Sequence, residues 1–231
     1  MKSELLLIIP AYNEEANITR VVDRLIKEYP QYNYVVVNDG STDQTGVICR
    51  ENSYNSVNYP VNIGLAGAFQ GGMKYAARMN YEYAMQYDGD GQHDPAYILS
   101  MLETAKREQC DIVIGSRFVS EKKPWTLRMM GSRVIENCIK LTTGKRITDP
   151  TSGMRLFNRK MIEILSRQVN YGPEPDTVAF LVRCGAKVKE VSVSMKERVA
   201  GESYLKFSSS VKYMVRMCMS ILIVQWFRKK G

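Results

Sequence analysis

Residues 34–45 read YVVVNDGSTDQT. The apolar run 34–38 does not alternate with polar residues, which is the pattern of a strand covered on both faces, and Asn38, Asp39, Gly40 and Ser41 then end it in a turn. On either side the same grammar repeats. Strands are expected at 5–10, 56–59, 81–87 and 112–115, and helices at 14–29, 42–52, 65–79 and 95–108. Such a βαβ succession implies an α/β domain: a mostly parallel, Rossmann-like sheet flanked by helices. After residue 115 the pattern loosens into a helix at 125–141, a strand at 154–158, helices at 159–167 and 176–184, a strand at 187–194 and a last helix from about 209. One α/β domain with a basic C-terminal extension describes the chain.

The 231 residues are 45% apolar and 24% charged with 1 His, enough for an ordinary buried core, so disorder and a disulfide scaffold are poor descriptions. Cys49, Cys110, Cys138, Cys184 and Cys218 are odd in number and form no CxxC pair, which argues against a zinc site and for a reducing compartment. The apolar core of the N-terminus, residues 5–9, is too short for a secretion signal. The longest uncharged apolar run, residues 217–227, is 11 residues long, where a membrane span needs about 20. Charge is divided unevenly. Residues 1–110 carry 9 Lys+Arg against 14 Asp+Glu, and residues 111–231 carry 23 against 10. The first half therefore suits cations or neutral polar groups, and the second half faces an anion.

In open α/β sheets ligands bind beyond the carboxyl ends of the strands. The segments there are 10–14 (PAYNE), 38–41 (NDGS), 62–64 (NIG) and 88–94 (DGDGQHD), an edge rich in carboxylates and amides. Period-two geometry puts Asp88 and Asp90 on one side of an extended segment, and two converging carboxylates suit a hard divalent cation, Mg²⁺ or Mn²⁺, completed by substrate phosphates. His93, alone in a polar turn, reads as a hydrogen-bonding residue. Gly64, Gly67, Gly71 and Gly72 open a helix after a strand, but GxxxxGK[ST] is absent and GxGxxG does not follow the first strand, so close helix packing is the simpler reading.

The strings IIPAYNEEANI (8–18), NDGSTDQT (38–45), NIGLAGAFQGG (62–72), YDGDGQHDP (87–95), IGSRF (114–118), DPTSGMRLF (149–157) and EPDTVAFLVRCGAKVKEVSV (174–193) together resemble glycosyltransferase family 2, whose nucleotide-sugar-binding fold is called GT-A. They run in the family order over residues 5–205. The resemblance implies that Pro10, Ala11, Tyr12, Glu14, Asp39 and Asp88 surround the nucleotide. It also implies that Asp88, Asp90 and Gln92 hold the metal, and that Arg198 covers the diphosphate from a basic loop. Single displacement with inversion at the anomeric carbon follows, with Asp90, Asp176 and Arg198 as catalytic residues and Asp176 as general base where the acceptor is a hydroxyl. A phosphate acceptor needs no base, since its second pKa is about 6.

The pattern of GSRF followed by RMMGS resembles the branch of this family that uses polyprenyl phosphates, which includes dolichyl-phosphate mannose synthase. There Arg117, Arg128 and Ser132 would receive the lipid phosphate, Arg128 and Ser132 being four apart on one helix face. The implied reaction moves glucose or N-acetylglucosamine from a UDP-sugar to a polyprenyl (undecaprenyl) phosphate at the cytoplasmic membrane face, for surface polysaccharide synthesis. Transfer to a saccharide hydroxyl, or a non-catalytic nucleotide-sugar-binding regulator, are the alternatives. The expected division is a catalytic domain over 1–205, with a donor half 1–110 and an acceptor half 111–205, followed by a C-terminal amphipathic helix over 206–231. That helix would place Lys212 and Arg216 on one side and offer Met217, Ile221 and Val224 as apolar contacts for a membrane surface or a small membrane protein, with a dimerising or core helix as the alternative. Members of the branch that carry their own transmembrane helices differ in this, which points to such a partner or a homo-oligomer. Nucleic acid is not an expected partner.

Overall fold

The computed structural model describes residues 4–89, 93–167, 172–194 and 207–227, and within helices leaves aside the side chains of 127, 128 and 207–210. Its elements run β1 (Leu5–Ala11), α1 (Ile18–Glu28), β2 (Asn33–Asn38), α2 (Thr45–Glu51), β3 (Ser56–Asn58), α3 (Leu65–Arg78), β4 (Tyr83–Gln86), α4 (Tyr97–Glu108) and β5 (Ile112–Ser116). The remainder is α5 (Leu127–Thr143), β6 (Arg155–Asn158), α6 (Arg159–Arg167), α7 (Pro175–Arg183), β7 (Val188–Ser192), α8 (Phe207–Leu222) and a 3₁₀ turn at Val224–Trp226. Seven strands form one sheet in the order β3-β2-β1-β4-β6-β5-β7. All pairings are parallel except those of β6, which runs antiparallel between β4 and β5. The expected α/β architecture, a mostly parallel sheet flanked by helices, is what the chain adopts.

Strand residues alternate between two apolar layers, which explains why the sequence itself does not alternate. Leu6, Ile8, Val35 and Val37 join the layer containing α3, α6 and α7 residues, whereas Leu5, Leu7, Ile9 and Val36 join the layer under α1 and α4. Helix α3 lies directly on β1: a Cβ on Gly72 would stand 2.2 Å from Ile8 Cγ2. Close packing is thus the role of that glycine, as its sequence context suggested.

Four helices, α1, α2, α4 and α5, start later than expected. Residues 14–17 form a turn closed by Asn17 N–H to the Glu14 carbonyl (2.9 Å), and Asp43 caps the start of α2 through Thr45. The tail required a larger correction. Met217 and Ile221, expected to face a membrane or partner, are 2% and 0% exposed in the core, while Val211, Val215, Met219 and Leu222 form the exposed face. The helix also stops at Leu222 rather than continuing to Phe227. Beyond the stop, Arg183 stacks over Trp226 at 4.4 Å and donates to the Gln225 carbonyl, holding the 3₁₀ turn against α7. Among the described residues no helix is long and apolar enough to cross a membrane.

Candidate active site

The carboxyl ends of β1, β2 and β4 open into a cleft of about 460 Å³. Pro10, Ala11, Tyr12, Glu14, Asp39 and Asp88 all line it, so the residues assigned to the nucleotide share one space. Asn62, Gly64, Leu65, Ala68 and Gly89 complete the wall. Adjacent strand-end turns are laced together. Asn13 N–H donates to Ser41 Oγ (3.0 Å), Thr42 N–H to Asn13 Oδ1 (2.9 Å) and Gln44 N–H to Glu15 Oε2 (2.9 Å). Burial opposes the charge of Asp43, but hydrogen bonds from Thr45 and from the Glu15 N–H hold its carboxyl below the usual range.

Asp39 is 3% exposed, and its two oxygens accept from Ile63 N–H (2.9 Å) and Gly64 N–H (2.8 Å). It therefore fixes the entrance of α3 as well as lining the cleft. Gly64, at φ +84°, supplies the left-handed backbone that lets its N–H point at that carboxylate.

Asp88 is gripped from both sides. Gln86 Nε2 donates to Oδ1 at 3.0 Å, and the Nε2 atom of His93 stands 3.5 Å from Oδ2. His93 Nδ1 accepts the Asp88 backbone N–H at 3.2 Å, so the proton of the neutral ring sits on Nε2 and faces the carboxylate. The chain's one histidine is therefore a hydrogen-bonding residue. Gly153 makes room for the carboxylate, since a Cβ there would lie 2.3 Å from Asp88 Oδ2. Asp88, with a side chain 33% exposed, presents hard oxygens to the cleft, the donor type that Mg²⁺ or Mn²⁺ takes. Asp90, Gln92 and Arg198 lie outside the described residues. Among the described residues no group of three or more His, Cys, Asp or Glu could hold a metal.

On the acceptor side, Arg117 and Ser132 have partners within the chain. Arg117 closes a two-point ion pair on Asp149, with Nε to Oδ2 at 2.7 Å and Nη2 to Oδ1 at 2.9 Å, and Asp149 is 0% exposed. Its charge is already matched. Ser132 is buried and its Oγ accepts from Lys123 Nζ at 3.1 Å. The side chain of Arg128 lies outside the description. Asp176 does not line the cleft. It is 6% exposed in the first turn of α7, where Ser220 Oγ on α8 donates to Oδ2 at 2.5 Å and Thr177 N–H to Oδ1 at 2.9 Å.

Two features escaped the sequence reading. Arg155, paired in register with Gln86 across β4 and β6, is 1% exposed and donates Nη2 to the Pro150 carbonyl at 2.6 Å. Its Nε and Nη1, like Gln86 Oε1, have no hydrogen-bond partner among the described residues. Burial pulls its guanidinium below the usual range, against the pull of Tyr213, Glu174, Asp149 and Asp88. No periodicity marks such a residue; only its place in the DPTSGMRLF string does. The second feature is a basic pocket beside β5, of about 450 Å³, into which Lys123, Arg133 and Arg146 reach.

Residues 6–165 match the family model described as Glycosyl transferase family 2. The chain is 29% identical over 218 residues to polyprenol monophosphomannose synthase of Mycolicibacterium smegmatis, covering 88% of this chain and 82% of that protein. It is 32% identical over 184 residues to the UDP-N-acetylglucosamine–dolichyl-phosphate N-acetylglucosaminyltransferase of Methanococcus voltae, covering 71% and 72%. In fold it is similar to glucosyl-3-phosphoglycerate synthase from Mycobacterium tuberculosis, solved with Mn²⁺, uridine diphosphate and phosphoglyceric acid. That match has a TM-score of 0.70 at 16% identity and covers 100% of this chain and 80% of the other.

Proposed function

The chain belongs to glycosyl transferase family 2 and is a glycosyltransferase, and we propose that it transfers a sugar from a UDP-sugar to a polyprenyl phosphate at the cytoplasmic face of a membrane. Glucose or N-acetylglucosamine is the sugar of this proposal, and undecaprenyl phosphate the acceptor in a bacterial setting. The observation that carries the choice of acceptor is the placement of Asp176. A hydroxyl must lose its proton as it attacks and so needs a base at the reacting centre. The carboxylate that the resemblance offers for this is bonded to Ser220 and is not among the residues that line the cleft. A phosphate monoester is largely dianionic at neutral pH and attacks unaided. The two curated relatives are named for transfer to polyprenol or dolichyl phosphate.

In this reading residues 1–110 hold the donor, 111–205 receive the acceptor, and 206–231 attach the protein to the membrane. Asp88, Asp90 and Gln92 would hold Mg²⁺ or Mn²⁺, an ion that, when bound, supplies Lewis-acid stabilisation of the departing diphosphate. Gln86 and His93 orient Asp88 for that task, and Arg198 adds positive charge over the diphosphate. Asp39 keeps the α3 entrance in place beside the base and ribose. The exposed apolar face of α8, with Met130 and Val134 of α5 (48% and 50% exposed), seats the enzyme on the bilayer or a membrane partner.

The test is to incubate the enzyme with radiolabelled UDP-glucose, UDP-N-acetylglucosamine or GDP-mannose, each with undecaprenyl phosphate or an oligosaccharide, with Mn²⁺ and with Mg²⁺. Organic-extractable label from a UDP-sugar is expected. Label confined to the oligosaccharide would overturn the lipid acceptor, and lipid label from GDP-mannose alone would overturn the donor. Asp176→Asn should leave most of the lipid transfer intact, and a severe loss in that variant would restore the hydroxyl acceptor.

A further inference from the structure

Arg155 is a buried cation beside the strand end that carries Asp88. Because β6 runs antiparallel between β4 and β5, its first residue stands at the carboxyl end of β4, directly opposite Gln86 and on the same face of the sheet. Arg155 is 1% exposed, and only its Nη2 has a partner, the Pro150 carbonyl at 2.6 Å; Nε and Nη1 have none among the described residues. Across the strand pair Gln86 has the complementary defect, a buried acceptor, Oε1, that is unpaired among the described residues. Leaving such groups unpaired costs stability, and here the orphaned donors and the orphaned acceptor belong to neighbours in register.

The Gln86 amide has a task that depends on which way round it lies. Its Nε2 donates to Asp88 Oδ1 at 3.0 Å. Turned over, the amide would face the carboxylate with an oxygen, acceptor against acceptor. A cation at its oxygen end and a carboxylate at its nitrogen end fix the orientation from both sides. The charges around Arg155 agree: Glu174, Asp149 and Asp88 all favour its charged form against burial. Glu174 is bonded by Tyr213 at 2.5 Å and Asp149 by Arg117 at 2.7 Å, whereas Asp88 is held by the Gln86 amide and the His93 ring. The same strand entrance also serves Asp88 at Gly153, where a Cβ would lie 2.3 Å from Oδ2.

We propose that Arg155 is a positioning residue of the donor site: it engages Gln86 Oε1, directly or through one buried water, and so keeps the amide N–H₂ group on Asp88. The inference rests on the reading of Asp88 as a metal ligand and adds the residue that aims it. Gln86 Oε1 with Arg155 Nε and Nη1 makes three polar partners, the usual number for a buried water.

Arg155→Met, Gln86→Met and the two together, all in the full chain, test it. Each is measured for thermal unfolding, for transfer kinetics, and for Mn²⁺ binding in the presence of UDP, read from the electron paramagnetic resonance of the free ion. Arg155→Met should unfold within about 5 °C of the parent, because it removes an incompletely paired buried charge along with the bond to Pro150. It should nevertheless weaken Mn²⁺ binding about tenfold, the lower end of the range for a group that orients a metal ligand, and lower kcat with the acceptor KM within about twofold. Gln86→Met should weaken binding at least as much, and adding Arg155→Met to it should cost nothing further. Arg155→Lys, which keeps a cation beside the amide, should fall between the parent and Arg155→Met, and its deficit should disappear in the Gln86→Met background; that pair carries the test if Arg155→Met does not fold. Parental Mn²⁺ affinity in folded Arg155→Met would overturn the assignment, as would losses that multiply in the double variant. A Tm lowered by about 10 °C or more at unchanged affinity would make Arg155 a packing residue only and overturn it too. If the unaltered chain binds no Mn²⁺ with UDP, the reading of Asp88 as a metal ligand fails; if it does and Arg155→Met matches it, only the Arg155 assignment fails.

Discussion

At the donor cleft, negative charge is held by neutral donors: Asp39 takes the N–H groups of Ile63 and Gly64, Asp43 beside it takes those of Glu15 and Thr45, and Asp88 is held by Gln86. At the basic pocket, charge is held by charge, with Lys123 and Arg146 sharing Glu136 and Arg117 closing on Asp149 nearby. A carboxylate fixed by neutral donors is positioned once, by the fold, and has no cation to give up. An ion pair between side chains can be exchanged when a stronger anion arrives. The contrast is between a rigid site for a donor and a pocket whose pairs can rearrange.

The largest expected effect separates the two sites outright. Asp88→Asn should lower transfer by about a hundredfold or more with every acceptor, whereas Lys123→Met, in a pocket that shares no lining residue with the cleft, should leave the donor KM unaltered. A full rate in Asp88→Asn would remove the cleft from the reaction. Next is Asp39→Ala, which strands two backbone N–H groups at a cost of about 1–3 kcal/mol each. Urea unfolding should show the loss together with a raised donor KM, and a normal donor KM would mean that the α3 entrance is not part of the donor site. Gly72→Ala then serves as the control for stability alone. Its methyl would press on Ile8 and cost about 1–3 kcal/mol, lowering Tm with both KM values unaltered. A shift in donor KM there would show that α3 transmits strain to the cleft.

The smallest effect concerns pH. Burial works against the charge of Glu136, but hydrogen bonds from Lys123 and Arg146 outweigh it and hold the carboxyl below the usual range. A depressed folded-state pKa contributes stability above the unfolded pKa, and the contribution is lost as pH falls through the folded value. Glu136→Gln should therefore flatten the acid limb of stability against pH, by roughly 1–2 kcal/mol for this one group. An acid limb identical to that of the parent would mean that the pair contributes nothing at equilibrium.

The cleft was legible because its residues sit within a few positions of strand ends, so strand placement alone brought Pro10, Asp39 and Asp88 together. The pocket was not, because it joins a loop, one face of α5 and residues 146–148, which no local pattern links. Nothing local in the sequence says that Lys123 meets Ser132 and Arg133 beside α5. Likewise, periodicity marked α8 as amphipathic, and it could not tell whether Met217 and Ile221 faced the core or a membrane.

The residues by themselves determined the α/β class, the strand-end cleft and the family, since hydrophobic period and motif order are local properties of a chain. Tertiary structure alone decided that β6 enters the sheet antiparallel, that Asp176 is occupied by Ser220, that Arg117 is neutralised by Asp149 and that Met217 and Ile221 face inward. Each of these turns on a partner tens of residues away. A charged or polar side chain acquires its role from whichever partner reaches it when both are taken out of water.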